Sequence, residues 1–370
     1  MYLARLRLNN FKNYSEAYLN FSDKINCLVG DNGAGKTNVL DAVYYLSFCK
    51  SYFNSIDSQN IRHETAYFAL HGFYKNQENS EDQISCIQHL NKKKQFRFNK
   101  KDYDRLADHI GRIPLVMISP YDRDLINEGS ELRRKYIDGV ISQFDKFYLN
   151  DLLEYNKALQ QRNSLLKYFA ESGQFDALSL SVWDDKLIVL GENLHEKRKF
   201  FLQDFNPLFD EYYRYLSNGT ESVSIYYTSQ LANASFGELL KENLHKDRKL
   251  RYTSNGIHKD DLLLNIDGFP VKKYGSQGQQ KSFVIAIKLA QFEYTRQKMG
   301  FKPILLFDDI FDKLDDKRVS QIVELVSTEN FGQVFITDTQ TQRIESIFKK
   351  IDIDHKIFSV IKGQAKENLS

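Results

Sequence analysis

Apolar residues fall into three patterns along the chain. Near the start, Leu6 and Leu8 alternate with Arg5 and Arg7, the period of a strand with one wet face. Ile25 to Val29, Ile304 to Phe307 and Gln333 to Ile336 are short, nearly continuous apolar runs, which predict strands buried on both faces of a sheet. Thr37 to Phe48 carries Val39, Leu40, Val43 and Leu46 at helical spacing. From about Tyr121 to Leu264 the pattern is largely helical, including Leu152 to Leu166 and Phe200 to Leu216, with a short β segment at Ser222 to Tyr227. No a/d heptads persist over three or four repeats there and no Cys-x-x-Cys interrupts it, which excludes a long coiled coil and a zinc hook.

Two of the apolar runs end in chemistry. After Val29 comes Gly30-Asp31-Asn32-Gly33-Ala34-Gly35-Lys36-Thr37, with Asn38 next in the helix. This is the full G-x-x-x-x-G-K-[ST] spacing, with a strand before it and a helix after it. Its glycines let the backbone curl so that successive N–H groups face a phosphate, and the helix N-terminus adds its dipole. Lys36 supplies a charge to the β/γ-phosphates and Thr37 a hydroxyl to Mg²⁺. After Phe307 come Asp308 and Asp309, at the C-terminal tip of a strand, where ligands sit on a parallel sheet. Asp308 is placed to hold Mg²⁺ through its water shell, and Asp309 to orient or activate an attacking water. Together the segments predict a site for ATP and Mg²⁺, with Lys36 and Asp309 catalytic.

A third segment, Tyr274-Gly275-Ser276-Gln277-Gly278-Gln279-Gln280-Lys281-Ser282, is a polar turn leading into a helical pattern at Val284, Ile285, Ile287, Ala290 and Phe292. In place and order it resembles the L-S-G-G-Q signature of the ABC-type ATPases: Ser276, Gly278 and Gln279 match, while Gly275 and Gln277 depart from it. In that family the signature Ser and its helix N-terminus meet a γ-phosphate held by a second subunit, so the resemblance implies a dimer with composite sites.

The likeness narrows to the RecF family, bacterial recombination-repair ATPases related to the SMC heads. It rests on Asn10-Phe11-Lys12-Asn13-Tyr14, on Ile118-Ser119-Pro120-Tyr121-Asp122-Arg123-Asp124, and on Glu131-Leu132-Arg133-Arg134-Lys135-Tyr136-Ile137-Asp138. Gly256-Ile257-His258-Lys259-Asp260-Asp261-Leu262 and the D-loop-like Phe311-Asp312-Lys313-Leu314-Asp315 extend it, so that it covers residues 1 to about 340. It implies an α/β fold: an ABC/SMC-like P-loop ATPase head built from both chain ends, 1–120 and 265–370, with an inserted, mainly helical arm domain at 121–264. It also implies an ATP-dependent homodimer that closes on double-stranded DNA near single-strand gaps or junctions and opens on hydrolysis. RecR, RecO and RecA are the implied downstream partners, and the ATPase is implied to be weak and DNA-stimulated. Where typical ABC proteins have a switch His, this chain has Thr337-Asp338-Thr339, so that γ-phosphate sensing falls to Thr337 or Asp338. No Q-loop residue stands out; Gln59 reads as an exposed loop residue.

Two alternatives remain: an ABC-type transporter ATPase subunit, or a different SMC-like head such as an overcoming-lysogenization-type nuclease. The large insert and the missing His count against the first, and the short stretch 341–370 against the second.

Composition adds three points. The chain has 370 residues, 42% hydrophobic and 27% charged, without an apolar run that could span a membrane and without an apolar leader after Met1, which predicts a cytoplasmic protein. Cys27, Cys49 and Cys86 have neither metal-pair nor disulfide spacing and read as small buried hydrophobes. Net charge is only +2, but the two ends are net positive and the middle net negative. The densest basic stretch, Lys92, Lys93, Lys94, Arg97, Lys100 and Lys101, alternates with Phe96 and Phe98 as on a hairpin. It is the candidate surface for a DNA backbone.

Overall fold

A computed structural model describes residues 1–76, 80–217, 219, 221–310, 316–348 and 353–368. They form two compact units, Met1–Asp122 with Phe292–Ser370, and Arg123–Gln291. Of the expected insert, 121–264, only Tyr121 and Asp122 fall in the first unit. Asp122 is held there because its carboxylate accepts from the Tyr52 hydroxyl at 2.5 Å and the Ser119 N–H at 2.7 Å. The second unit also takes in 265–291, and with it the signature segment.

The first unit has two six-stranded sheets. One is antiparallel and contains β1 (Tyr2–Phe11), β2 (Tyr14–Asn20), β4 (Tyr67–Lys75), β5 (Glu81–His89), β6 (Gln95–Phe98) and β7 (Lys101–Asp102), in the order β2-β1-β4-β5-β6-β7. The other contains β3 (Ile25–Val29), β8 (Leu115–Ile118), β12 (Ile304–Phe307), β13 (Val334–Asp338), β14 (His355–Ile361) and β15 (Gln364–Glu367). Its order is β15-β14-β3-β13-β12-β8, parallel except for the β14–β15 hairpin.

Every residue of β3, β8, β12 and β13 is buried, as expected of apolar runs covered on both faces. β13 runs two residues beyond the apolar run, because Thr337 and Asp338 stay in register with Leu28 and Val29 of β3. The helix Lys36–Phe48 contacts β1, β4 and β5 of one sheet and β8 and β13 of the other. Sandwiched in this way, it buries Val39, Leu40, Val43 and Leu46 completely and also Asp41 and Ala42, so its sequence shows little polar face.

The second unit is mainly helical. Helices Ser130–Phe144 and Ala177–Ser217 pack beside a three-stranded antiparallel sheet of β9 (Val223–Thr228), β10 (Asp261–Ile266) and β11 (Phe269–Pro270), and the helix Lys146–Ser172 packs on both of them. Asp145 starts the second helix by accepting from the Tyr148 N–H, and Gly173, with φ +71°, ends it. Two of the segments that carry the family resemblance interlock here. Arg133 pairs with Asp261 at 2.6 Å, and the buried Arg198 bridges Asp138 at 2.8 Å, Asp260 at 3.0 Å and the Ile257 carbonyl at 3.0 Å. His258 lies beside them, with Nδ1 2.8 Å from the Tyr155 hydroxyl and Nε2 3.0 Å from the Thr253 carbonyl. A carbonyl only accepts, so Nε2 carries the proton. Burial pushes the pKa of His258 down to about 4.

Candidate nucleotide site

The phosphate loop leaves β3 in the centre of its sheet and turns into the helix Lys36–Phe48. Asp31, Asn32 and Gly33 form an exposed lip, while Ala34, Gly35 and Lys36 are buried. Gly35 adopts φ +119°, and a Cβ there would lie 2.7 Å from Nδ2 of Asn13 and 3.0 Å from the Tyr14 ring, so the position admits only glycine. The contact identifies what braces the loop from outside. Asn13 Nδ2 donates to the Ala34 carbonyl at 2.9 Å, and Tyr14 donates its hydroxyl to the Gly35 carbonyl at 3.2 Å. From the β14–β15 turn, the Gly363 N–H donates to the same Ala34 carbonyl at 2.8 Å. Asn38, expected at the nucleotide, turns its amide to Asn13 Oδ1 at 2.7 Å and so belongs to this brace.

Lys36 Nζ donates to the carbonyls of Gly30 at 2.8 Å and Asp31 at 3.1 Å, curled over the loop with two neutral acceptors that phosphate oxygens can replace. Thr37 Oγ1 donates to Asp308 Oδ1 at 2.7 Å, joining residues 271 positions apart. Asp308 is buried, and burial raises its pKa to about 6, with Asp309 adding to the rise and Thr37, Thr337 and Lys36 opposing it. No salt bridge reaches Asp308 among the described residues. A buried carboxylate beside a hydroxyl, without an ion pair, is an oxygen donor set that suits Mg²⁺. No group of three or more His, Cys, Asp or Glu that could hold a metal occurs among the described residues, so Mg²⁺ would complete its shell with phosphates and water.

Asp309 follows in the left-handed region at φ +46°, and its N–H donates to Thr337 Oγ1 at 2.9 Å; Thr337 in turn donates to Asp308 Oδ1 at 3.0 Å. Asp338 faces elsewhere. Its carboxylate accepts from the Gln340 N–H at 2.7 Å and pairs with Arg343 at 2.5 Å, which leaves Thr337 as the switch-position residue in contact with the aspartates. The D-loop-like segment 311–315 lies outside the described residues.

In the second unit, Ser276 is exposed immediately before the helix Gln277–Met299. Its N–H donates to Gln279 Oε1 at 2.6 Å and its hydroxyl accepts from the Gln279 N–H at 3.2 Å, a reciprocal cap, with Gly278 in the first turn. This explains the Ser-x-x-Gln spacing without any ligand and leaves the Ser276 oxygen at a helix N-terminus, the place where an anion binds.

The basic stretch does not form one cluster. Lys92 and Lys93 lie before β6, Lys100 and Lys101 after it, so the two exposed pairs are separated by four strand residues, or roughly 13 Å at the usual rise. Arg97 pairs with Asp102 at 2.8 Å. Lys94 is corrected by its surroundings: Nζ points inward to Asp57 at 2.7 Å, the Cys49 carbonyl at 2.6 Å and the Tyr45 hydroxyl at 3.0 Å, where it serves the protein's own acceptors instead of facing DNA. All three cysteines are buried and none is in a disulfide, and Gln59 is exposed in a single 3-10 turn. No described helix is long and apolar enough to cross a membrane.

The brace of Asn13, Tyr14 and Gly363 was missed as such in the sequence. The N-F-K-N-Y segment marked the first two residues, but Gly363 acts through its main chain.

A family model described as RecF/RecN/SMC N terminal domain matches residues 2–362. The chain is 52% identical over 360 residues to the DNA replication and repair protein RecF of Flavobacterium johnsoniae, covering 97% of this chain and 100% of that one. It is 48% identical over 368 residues to the protein of the same name from Phocaeicola vulgatus, covering 99% and 98%. Among solved structures it is similar to the recombination mediator protein RecF with ATP in the RecFOR pathway, with a TM-score of 0.89, 30% identity, and coverage of 100% of this chain and 98% of that one. An Smc head bound to the C-winged helix domain of ScpA shares the fold, at TM-score 0.58 and 18% identity, covering 100% and 97%. The fold is thus the ABC/SMC-like α/β head with a mainly helical arm that the motifs predicted. With identity of this order over the whole chain, the protein belongs to the RecF family of DNA replication and repair proteins, within the wider RecF/RecN/SMC N-terminal domain family.

Proposed function

We propose that this chain is a cytoplasmic, ATP-dependent DNA-binding protein of recombinational repair and replication-fork maintenance, in which ATP closes a homodimer on double-stranded DNA near single-strand gaps. The observation that carries the reading is the 2.7 Å bond between Thr37 and Asp308, which unites the phosphate loop with the strand-end aspartates. Backbone N–H groups from Gly33 to Thr37 cradle the β-phosphate, and Lys36 exchanges its two carbonyl acceptors for phosphate oxygens. Thr37 and Asp308 would hold Mg²⁺, which would supply positive charge against the phosphates. Asp309 accepts a hydrogen bond from the attacking water and aligns it.

Ser276 and Gly278 of a second copy complete the site, their helix N-terminus meeting the γ-phosphate, so a triphosphate bridges two subunits and a diphosphate does not. Hydrolysis removes the bridging group and lets the dimer open, as a weak, DNA-stimulated ATPase. The exposed pairs Lys92–Lys93 and Lys100–Lys101 contact phosphates and not base edges. RecR is the partner protein, with RecO and RecA downstream. Sedimentation of the protein with ATP, ADP or no nucleotide, each with and without duplex DNA, tests this reading. A dimer is expected with ATP alone among the three and is expected to be stabilised by DNA; equal monomer fractions in all six mixtures would overturn it.

A further inference from the structure

At the switch position the sequence leaves γ-phosphate sensing to Thr337 or Asp338; the contacts of Thr337 point elsewhere. Thr337 is fully buried on β13, where the parallel pairing of Phe307 with Ile336 brings it abreast of Asp308. A hydroxyl has one proton and two lone pairs. The proton goes to Asp308 Oδ1 at 3.0 Å, and one lone pair accepts the Asp309 N–H at 2.9 Å. No proton is left to offer a phosphate.

What Thr337 holds is informative. Asp309 has φ +46°, a conformation that is strained for a non-glycine residue and persists only when neighbours impose it. The Thr337 hydroxyl is a contact that imposes it, through the N–H of that residue. The same hydroxyl shares Asp308 Oδ1 with Thr37, so a single oxygen fixes the metal-site carboxylate and the backbone that aims the next one.

We infer that Thr337 is a positioning residue for ATP hydrolysis: it locks the Asp308–Asp309 turn so that the Asp309 carboxylate meets the attacking water, and it leaves nucleotide binding to the phosphate loop. The inference rests on the ATPase reading above. It separates two quantities that a general structural role would move together, because Lys36 makes its bonds within the phosphate loop and Asp308 keeps its 2.7 Å bond from Thr37 when the Thr337 hydroxyl is removed.

The test uses the full-length chain carrying Thr337→Val, which keeps volume and β-branching but removes the hydroxyl, and Thr337→Ser, which restores it. Steady-state ATP hydrolysis gives kcat and KM, and titration with a fluorescent ATP analogue gives Kd. Thr337→Val is expected to lower kcat by about 10- to 100-fold, the usual cost of removing an outer partner that orients a ligating carboxylate, with Kd within about threefold of the parent. Thr337→Ser is expected to recover most of the rate. A wild-type kcat in Thr337→Val, a Kd that rises in step with the loss of kcat, or a Thr337→Ser as slow as Thr337→Val would each overturn the inference. If Thr337→Val does not fold, Thr337→Cys, with a weak S–H donor of similar size, carries the same comparison. A wild-type chain that binds but does not hydrolyse ATP overturns the ATPase reading itself, which is distinguishable from wild-type turnover that survives Thr337→Val.

Discussion

Replacing Asn13 by Ala removes the side chain that braces the phosphate loop from outside the nucleotide site. Two hydrogen bonds go with it: the donation from Nδ2 to the Ala34 carbonyl at 2.9 Å and the acceptance from Asn38 at 2.7 Å. At about 0.5–1.5 kcal/mol net for each, the loss is roughly 1–3 kcal/mol. Ala34 keeps its bond from the Gly363 N–H, so the loop loosens without detaching. If all of that energy held the loop in its binding conformation, ATP affinity would fall about 5- to 150-fold. Asn13→Asp sharpens the test. It keeps the shape but turns a donor into a second acceptor against the Ala34 carbonyl, and it brings negative charge towards a triphosphate, so it should bind ATP more weakly than Asn13→Ala. Calorimetric titration with ATP measures both, with Lys36→Ala as the floor and circular dichroism as the check on folding. Parental affinity in Asn13→Asp would refute the brace.

Three further outcomes are expected. Asp309→Asn should bind ATP and accumulate as a closed dimer in sedimentation, since the metal-site carboxylate Asp308 and Lys36 are untouched; loss of ATP binding would force the roles of the two aspartates to be exchanged. Ser276→Asp preserves the helix cap, because Asp is as good an N-cap as Ser, yet sets a carboxylate where a partner's γ-phosphate docks. It should abolish ATP-driven dimerisation by light scattering at unchanged melting temperature, and excess Lys36→Ala protein should restore some hydrolysis by supplying an intact Ser276. In the second unit, His258 is neutral when folded, with a pKa of about 4 against an ordinary value near 6.5. The unfolded chain therefore binds more protons between those values, and stability falls as pH drops from 6.5 to 4, by up to ~3 kcal/mol. Urea unfolding at pH 7, 6 and 5 should show a smaller decline in His258→Gln, and parallel declines in the two proteins would sink the assignment.

How much of this was legible follows from where the information resides. The strands Ile25–Val29 and Ile304–Phe307 were readable to the residue because their burial on both faces demands an unbroken apolar run. The helix Lys36–Phe48 was readable because the phosphate-loop motif sets its start, even though two-sided packing blurs its polar face. The end of β13 was not, since Thr337 and Asp338 are polar in a buried strand and are kept there by specific partners that no periodicity reports. The basic stretch misled for a related reason. Sequence density counts Lys94 with its neighbours, but a half-buried carboxylate and a carbonyl can draw one lysine of a run inward, where it is held by the protein's own acceptors.

The candidate site divides along the same line. Side chains that perform chemistry on phosphate must be of particular types at particular spacings, so Lys36, Thr37, Asp308 and Asp309 stand out in a single sequence. Those that hold these residues in position face no such restriction. Asn13 could be any amide that reaches the Ala34 carbonyl, Thr337 any hydroxyl abreast of Asp308, and Gly363 contributes only an N–H and the absence of a Cβ, which would sit 2.4 Å from the Asn13 carbonyl. Asn13 and Gly363 lie near opposite ends of the chain, yet both reach the Ala34 carbonyl. The loop is thus shaped only after β14 and β15 have joined the sheet. A nucleotide that needs the shaped loop must then stabilise the C-terminal hairpin as well as the loop itself, because ligand that binds only the assembled site favours every element the site requires. Amide exchange of β14 and β15 should accordingly slow on ATP binding, although neither strand carries a residue assigned to the nucleotide.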